Sequence, residues 1–352
     1  MRYGLGYMGS KSRIADRLAL AIPDRGVDNF YDLFAGGCAM THKMMLCGAF
    51  RHYFANDYDG KALRLFADAI RGKYRGEKRW ISREDFFRLR DSDPYVSCCW
   101  SFGNNQSDYI YSRKIEPYKK ACHYAIVSRD FTLLGKLCPE VVDACKEALE
   151  GVTDTHERRV KFGPTIVKWL KAYGTPELLE SNPLYSSCHV KHDTKTRPKG
   201  MIRDLQSLQS LQSLIISVKD YRDVKIMPSS IIYCDPPYKG TSGYAANAKT
   251  SFDYAAFYDW CCLQEELVLV SEYAMPEDRF TEVLRTKHIQ TLSGTKTSHV
   301  IEKLFVPTRQ LEKYKEMMSQ SHGKPKERPR YVEQSLFDFC TQGEGERKVA
   351  NG

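Results

Sequence analysis

Phe30-Tyr31-Asp32-Leu33-Phe34-Ala35-Gly36-Gly37 joins a short apolar run to a turn of two glycines. The apolar run, Phe30 to Phe34, has the length and composition of a buried strand. Glycines at the turn allow a close approach to the backbone that a Cβ would forbid. Downstream, a helix-like segment carries Met40, Met44 and Met45, and His52-Tyr53-Phe54-Ala55 reads as a second strand that ends at Asn56-Asp57. Strand, glycine turn, helix, strand and acid together make one βαβ unit of about thirty residues. A pair of glycines alone is more often a plain turn, so the unit needs a second element to acquire meaning.

In a doubly wound sheet a nucleotide-like ligand sits outside the carboxyl ends of the strands, and an acid closing the second strand accepts hydrogen bonds from ribose hydroxyls. Asp32, Phe34, Gly36 and Asp57 are therefore candidate ligand-binding residues. The full G-x-G-x-x-G spacing is absent, which points away from a dinucleotide and toward a ligand without a pyrophosphate. S-adenosylmethionine, with its adenosine, sulfonium and amino-acid end, fits that description.

The second element is Ser230-Ile231-Ile232-Tyr233-Cys234, a buried-strand pattern that runs into Asp235-Pro236-Pro237-Tyr238. Two prolines fix the backbone and remove two amide donors, so the loop displays carbonyls and the Asp side chain as acceptors. An exocyclic amine conjugated to a purine is a poor nucleophile. Hydrogen bonds from its N–H groups to Asp235 and to the Pro236 carbonyl would concentrate lone-pair density on the nitrogen for in-line attack on a methyl-sulfonium. Tyr238 offers a face on which an adenine extruded from a duplex can stack. The catalytic candidates are thus Asp235, Pro236, Pro237 and Tyr238. The plain alternative is a proline-rich turn with an incidental acid and aromatic ring.

Further apolar runs, Leu267-Val268-Leu269-Val270-Ser271 and Val300-Ile301-Glu302-Lys303-Leu304-Phe305-Val306, read as strands. The expected fold is α/β: a Rossmann-like, doubly wound, mainly parallel sheet with an inserted, largely helical region. The sheet domain is expected from residues 1–75 and 216–312, the insert from 76–215, and a basic, mobile tail from 313–352. At the start of the chain, Gly6 to Lys11 reads as a turn before a helical pattern with Ile14, Leu18 and Ile22 on one face, stopped by Pro23. Leucine at every third position from Leu205 to Leu214 reads as one partly buried helix.

The chain of 352 residues has 42% hydrophobic residues and a formal net charge of +9, values that suit a globular protein with a polyanionic partner without proving one. No apolar run reaches the about 18 residues of a membrane span. The amino terminus lacks a charged segment followed by an apolar stretch, so a cytoplasmic protein is expected. Of the 12 cysteines, Cys98-Cys99 and Cys261-Cys262 are adjacent pairs and no C-x-x-C occurs, which points to reduced, mostly buried thiols and no metal site.

The order of these elements resembles the Dam-type (D12-class) adenine-N6 DNA methyltransferases: cofactor half, recognition insert, catalytic half. The likeness covers roughly residues 3–70 and 216–307. Tyr7-Met8-Gly9-Ser10-Lys11 corresponds to the family's amino-terminal cofactor segment, Asp32 to Gly37 to its glycine motif, Asp57 to its ribose acid, and Asp235 to Tyr238 to its catalytic loop. The resemblance implies an S-adenosylmethionine cofactor, a double-stranded DNA partner, and site-specific transfer to adenine N6 after base flipping. It also places Tyr7 and Lys11 against the methionine end of the cofactor, and Asp235 near both cofactor and target base.

Where family members that read GATC carry Asn-Val-Pro-aromatic-Gly, this chain has Trp100-Ser101-Phe102-Gly103-Asn104-Asn105-Gln106. Asn104 and Asn105 can read adenine edges, with Trp100 among the interleaved aromatics and Arg113, Lys114, Lys119 and Lys120 on phosphates. They equally read as a turn beside a solvated face. In the tail, Gln334-Ser335-Leu336-Phe337 resembles a sliding-clamp peptide, or else Leu336, Phe337 and Phe339 pack on the enzyme body. Other acceptors (cytosine N4, adenine in RNA, a protein glutamine) and a catalytically silent DNA-binding module stand as alternatives, with Asp235 favouring adenine.

Overall fold

The computed structural model describes residues 3–6, 9–74, 76–186, 214–238, 252–292 and 296–321. Its centre is a sheet of 7 strands: β1 (Asn29–Asp32), β2 (His52–Asn56), β3 (Leu214–Ser217), β4 (Ser230–Cys234), β5 (Leu267–Glu272), β6 (Phe280–Leu292) and β7 (Lys296–Pro307). The spatial order is β3-β2-β1-β4-β5-β7-β6. Pairs among β1 to β5 are parallel, whereas β7 runs antiparallel to β5 and to β6. This mixed, mostly parallel α/β sheet is consistent with a class I methyltransferase fold.

Strand side chains alternate between the two faces, so a strand buried on both sides reads as a continuous apolar run. Phe30, Tyr53, Ile231, Tyr233, Leu267, Leu269, Leu304 and Val306 belong to the core on one face. Tyr31, Ile232, Cys234, Val268, Val270 and Phe305 belong to the core on the other. The first face is covered by α1 (Ala15–Ala19), α2 (Ala39–Cys47) and α3 (Gly60–Ile70). Ile14, Leu18 and Ile22 bury their expected common face there. Removing a ring as deeply buried as Phe30, which is 0% exposed, would cost about 3–5 kcal/mol.

After Ile70 come α4 (Arg83–Leu89), α5 (Pro94–Cys99), α6 (Glu116–Ser128), α7 (Thr132–Leu137), α8 (Val142–Ala148), α9 (Thr155–Tyr173), α10 (Pro176–Ser181) and α11 (Pro183–Ser186). Phe86 of α4, Tyr95 of α5, Trp100 and Tyr109 join the core of the sheet. The helices from α6 onward build a core of their own around Ala125, Leu134, Cys145, Phe162 and Tyr185. Later, α12 (Tyr254–Leu263) covers the second sheet face with Phe257 and Cys261. Finally α13 (Leu311–Gln320) returns to the first face, where the Tyr314 hydroxyl donates to the Ala21 carbonyl at 3.2 Å.

Two local expectations differ from the structure. Leu214, expected to end a leucine-rich helix, is the first residue of β3, because Leu214-Ile215-Ile216-Ser217 pairs in register with Tyr53 to Asn56. Residues 205–213 lie outside the described residues. The first residues of the tail expected from 313 are instead helical, since α13 continues to Gln320 and buries Tyr314 to 8% exposure; residues 322–352 lie outside the described residues. Each described cysteine is a free thiol, with Cys47 exposed, Cys262 intermediate and the others buried. No described helix is long and apolar enough to cross a membrane.

Candidate active site

From β1 the chain winds outward to β2 and β3, then re-enters as β4 on the opposite flank of β1 and proceeds to β5. The reversal between β1 and β4 opens a crevice at their carboxyl ends, the place where open α/β sheets bind ligands. Asp32 is in register with Tyr233, so the glycine turn after β1 and the Asp235–Tyr238 loop after β4 emerge side by side.

The glycine turn is tied down by its neighbours. The Ala35 amide donates to the Asn56 carbonyl at 2.9 Å, and the Leu33 amide to the Tyr233 carbonyl at 3.0 Å. Asp57 accepts the Gly36 amide at 2.7 Å and the Asp59 amide at 2.8 Å, one on each carboxylate oxygen. Asp32 accepts both the amide and the hydroxyl of Thr41, at 3.2 and 2.7 Å, at the start of α2. Cys38 precedes that helix in a left-handed conformation with φ 58°, a strained position for a residue with a Cβ. Phe34 faces an aromatic cluster of Tyr221, Phe252 and Phe257.

Residues 3–6 lie against this turn. The Leu5 amide donates to the Gly37 carbonyl at 2.7 Å, and the Gly4 amide to His42 Nδ1 at 2.8 Å. Gly4 has φ +65°, and a Cβ there would meet the Gly37 oxygen at 2.3 Å, so only glycine fits. The segment then leads to a short 3₁₀ turn at Lys11–Arg13, where the Ser10 hydroxyl accepts the Ser12 amide.

Lys11 Nζ reaches Asp235 Oδ1 at 2.7 Å and lies 4.5 Å from the centroid of the Tyr238 ring. Glu302 of β7 stands 3.8 Å from the same ammonium. The Tyr238 hydroxyl donates to Glu302 Oε1, which also accepts the Ser271 hydroxyl of β5 at 2.8 Å. The Tyr238 ring meets Tyr273 edge to face at 4.5 Å, and the Tyr254 hydroxyl donates to the Pro237 carbonyl at 2.8 Å. The loop after β4 is therefore anchored from the amino-terminal segment, from α12, and from β5 and β7.

Burial raises the carboxyls of this crevice above the ordinary range. Asp32 is pushed up to about 7, chiefly by burial and further by Asp235 and Asp57. Asp57 is pushed up to about 6 by burial, against the opposing Gly36 and Asp59 amides. Asp235 also rises to about 6, where burial and the Glu302 charge outweigh Lys11. Such a crevice favours a positively charged ligand, because a cation stabilises the ionised carboxylates. The sulfonium and ammonium of S-adenosylmethionine meet that requirement, and Asp57 retains acceptor capacity on both oxygens for hydroxyls.

Other expected residues are placed differently. Tyr7 lies outside the described residues, as do Gln334, Leu336 and Phe337. Trp100 is buried at 8% exposure and packs edge to face on Trp80, and Lys119 is buried at 5%. Neither is presented on the surface for DNA: Trp100, the C-cap of α5, belongs to the core of the sheet, and Lys119 of α6 is buried. Asn105 uses its side chain within its own loop, accepting the Ser107 and Asp108 amides and donating to the Asp108 carboxylate. Asn104 packs against the amino-terminal segment, its Nδ2 2.9 Å from where a Cβ on Gly6 would stand. Arg113 and Lys114 are exposed, and Lys120 is half-buried. Glu302, Ser271, Tyr254, Tyr273 and His42 also belong to the site, and no motif in the sequence marks them.

Residues 7–148 match the family model of the D12 class N6 adenine-specific DNA methyltransferases. Over residues 7–148 the chain matches a methyltransferase domain of that family. The family transfers a methyl group from S-adenosylmethionine to adenine N6 in DNA, and the match implies an S-adenosylmethionine donor and a DNA substrate. The matched stretch contains the glycine turn, Lys11 and Asp57, and it ends before the Asp235 loop of the methyltransferase. Among curated proteins, none matches the chain.

Proposed function

We propose that this methyltransferase acts site-specifically on double-stranded DNA and that Asp235, with the Pro236 carbonyl, accepts hydrogen bonds from the N6 amine of an adenine swung out of the duplex. The observation that carries this reading is the meeting of Lys11 and Asp235 at 2.7 Å at the switch point of the sheet. S-adenosylmethionine supplies an electrophilic methyl group on a cationic sulfur. Asp235, with its carboxyl near 6, is mainly ionised above neutral pH and so presents acceptors to the amine. Lys11 fixes the orientation of Asp235, and the Tyr254 hydroxyl holds the carbonyl of Pro237. Pro236 and Pro237 keep the loop from collapsing into helix, and the Tyr238 ring is assigned the stacking of the flipped base.

On this reading Tyr7, Lys11, Asp32, Phe34, Gly36, Asp57 and Asp235 hold the cofactor. Residues 1–75 and 216–312 form the catalytic domain. Residues 76–215 recognise the DNA, with exposed Arg113 and Lys114 as phosphate partners. Lys120 and Asn104 are assigned to the same surface, and Gln334, Leu336 and Phe337 to a sliding-clamp contact. Sequencing the DNA of cells expressing the chain, with detection of N6-methyladenine, tests the reading. One methylated motif that vanishes in the Asp235→Ala variant is expected, and its absence in wild type would remove the site-specific assignment.

A further inference from the structure

We propose that Glu302 is a positioning residue for the catalytic loop: its buried carboxylate on β7 holds the Tyr238 hydroxyl and clamps Lys11 beside Asp235. This rests on the reading of Asp235 as the acceptor of the target amine. Leu304 and Val306, two and four positions along β7, face the apolar core at 0% exposure. Strand alternation turns Glu302 toward that same interior side, where an apolar residue would be the stable choice. Glu302 is nevertheless 2% exposed. A carboxylate in such a position costs several kcal/mol unless paired.

Its partners all belong to the catalytic crevice: the Tyr238 hydroxyl, the Ser271 hydroxyl at 2.8 Å and the Lys11 ammonium at 3.8 Å. Lys11 is thereby held between two carboxylates, with Asp235 the nearer at 2.7 Å. Tyr238 is pinned at its hydroxyl end while Tyr273 packs on its ring. Glu302 thus acts through other residues. It sets where the ring stands, and it sets the charge that Asp235 feels. The charged and titratable groups around this pair are Lys11 from the amino-terminal turn, Asp32 from β1, Asp57 just after β2, Tyr233 and Tyr238 from β4 and its loop, and Glu272 and Tyr273 from β5 and its end.

Two substitutions separate the anchor from the charge. Glu302→Gln keeps size and an acceptor oxygen but removes the charge, whereas Glu302→Ala removes both. Single-turnover methyl transfer is followed from pH 5 to 9 on a duplex bearing the wild-type target motif. Base flipping is read in parallel by 2-aminopurine placed at the target adenine. For Glu302→Gln the acid limb of the rate should move down by about one pH unit with flipping retained, because Asp235 loses a neighbouring anion. For Glu302→Ala, the single-turnover rate should fall about tenfold or more with a weakened flipping signal, as the ring loses its tether. Tyr238→Phe, which keeps the ring and deletes the hydroxyl that Glu302 and Asp235 share, should lower the single-turnover rate similarly; it serves if the Glu302 variants fail to fold.

Folded Glu302 variants with a wild-type single-turnover rate and pH profile would overturn the proposal, as would a wild-type rate in Tyr238→Phe. The Asp235→Ala variant is run alongside. If it is inactive while the Glu302 and Tyr238 variants are unaffected, only the role of Glu302 falls. If it still transfers methyl groups, the underlying reading of Asp235 falls first.

Discussion

Lys11 and Asp235, 224 positions apart in the chain, meet at 2.7 Å with the lysine only 7% exposed. The ammonium is the cation that makes a crevice of carboxylates tolerable. Replacing it with methionine leaves Asp235 and Glu302 without that compensation. The Lys11→Met variant should lose about 3–5 kcal/mol of stability near pH 8. Without the lysine the Asp235 carboxyl rises further, and a raised carboxyl contributes stability below its ordinary value that is lost as pH rises. The deficit should therefore shrink toward pH 5. Urea unfolding at the two pH values checks this, and a pH-independent deficit would contradict it.

Cofactor binding should release protons. Burial holds Asp32 near 7, and Asp57 and Asp235 near 6, so the cluster carries protons at mildly acidic pH. For the chain alone, that contribution to stability is full below about 4 and is lost as pH rises through about 6 to 7. A cationic ligand prefers the ionised carboxylates, so S-adenosylmethionine should bind more tightly as pH rises through the same window. Isothermal titration calorimetry at pH 6 in buffers of different ionisation enthalpy measures the protons released. An observed heat identical in every buffer would refute the linkage.

His42 ties the amino-terminal segment to α2 by accepting the Gly4 amide, a role that requires its proton on Nε2. Burial pushes its pKa down to about 4. A depressed histidine contributes stability above its ordinary value near 6.5, and that contribution is lost as pH falls toward about 4. His42→Ala should cost about 1–3 kcal/mol by orphaning the Gly4 amide and should flatten the acid side of the stability curve. Thermal melts of the two proteins between pH 4 and 8 provide the comparison.

Arg113 and Lys114 are exposed at the start of the helical region. If both touch phosphate, the double alanine variant should weaken binding to every duplex alike. It should also reduce the slope of log affinity against log salt by about two. An unchanged slope would place the DNA on another surface.

Much of the fold was legible because its signals are local. Phe30 to Gly37 and Ile231 to Tyr238 each join a buried strand to a loop within a few residues, and their apolar runs reflect burial on both sheet faces. What the sequence does not reveal is which distant strands become neighbours. Glu302 and Ser271 acquire meaning only because β7 lies beside β5 and opposite the Lys11 turn. His42 looked like one more helical position until the glycine segment folded onto it. Interleaved aromatic and basic residues carry no label for burial. Trp100 and Lys119 could read as a DNA surface although both are buried, and Asn105 as a base reader although it closes its own turn.

The central claim is that Asp235 is the acceptor that makes adenine N6 reactive. Single-turnover transfer of a labelled methyl group from S-adenosylmethionine to a duplex containing the target motif, comparing wild type with Asp235→Ala, tests it most directly. The account predicts a fall of about a thousandfold or more in the variant, with a retained circular dichroism spectrum. A folded variant that still forms N6-methyladenine at a rate near wild type would contradict it.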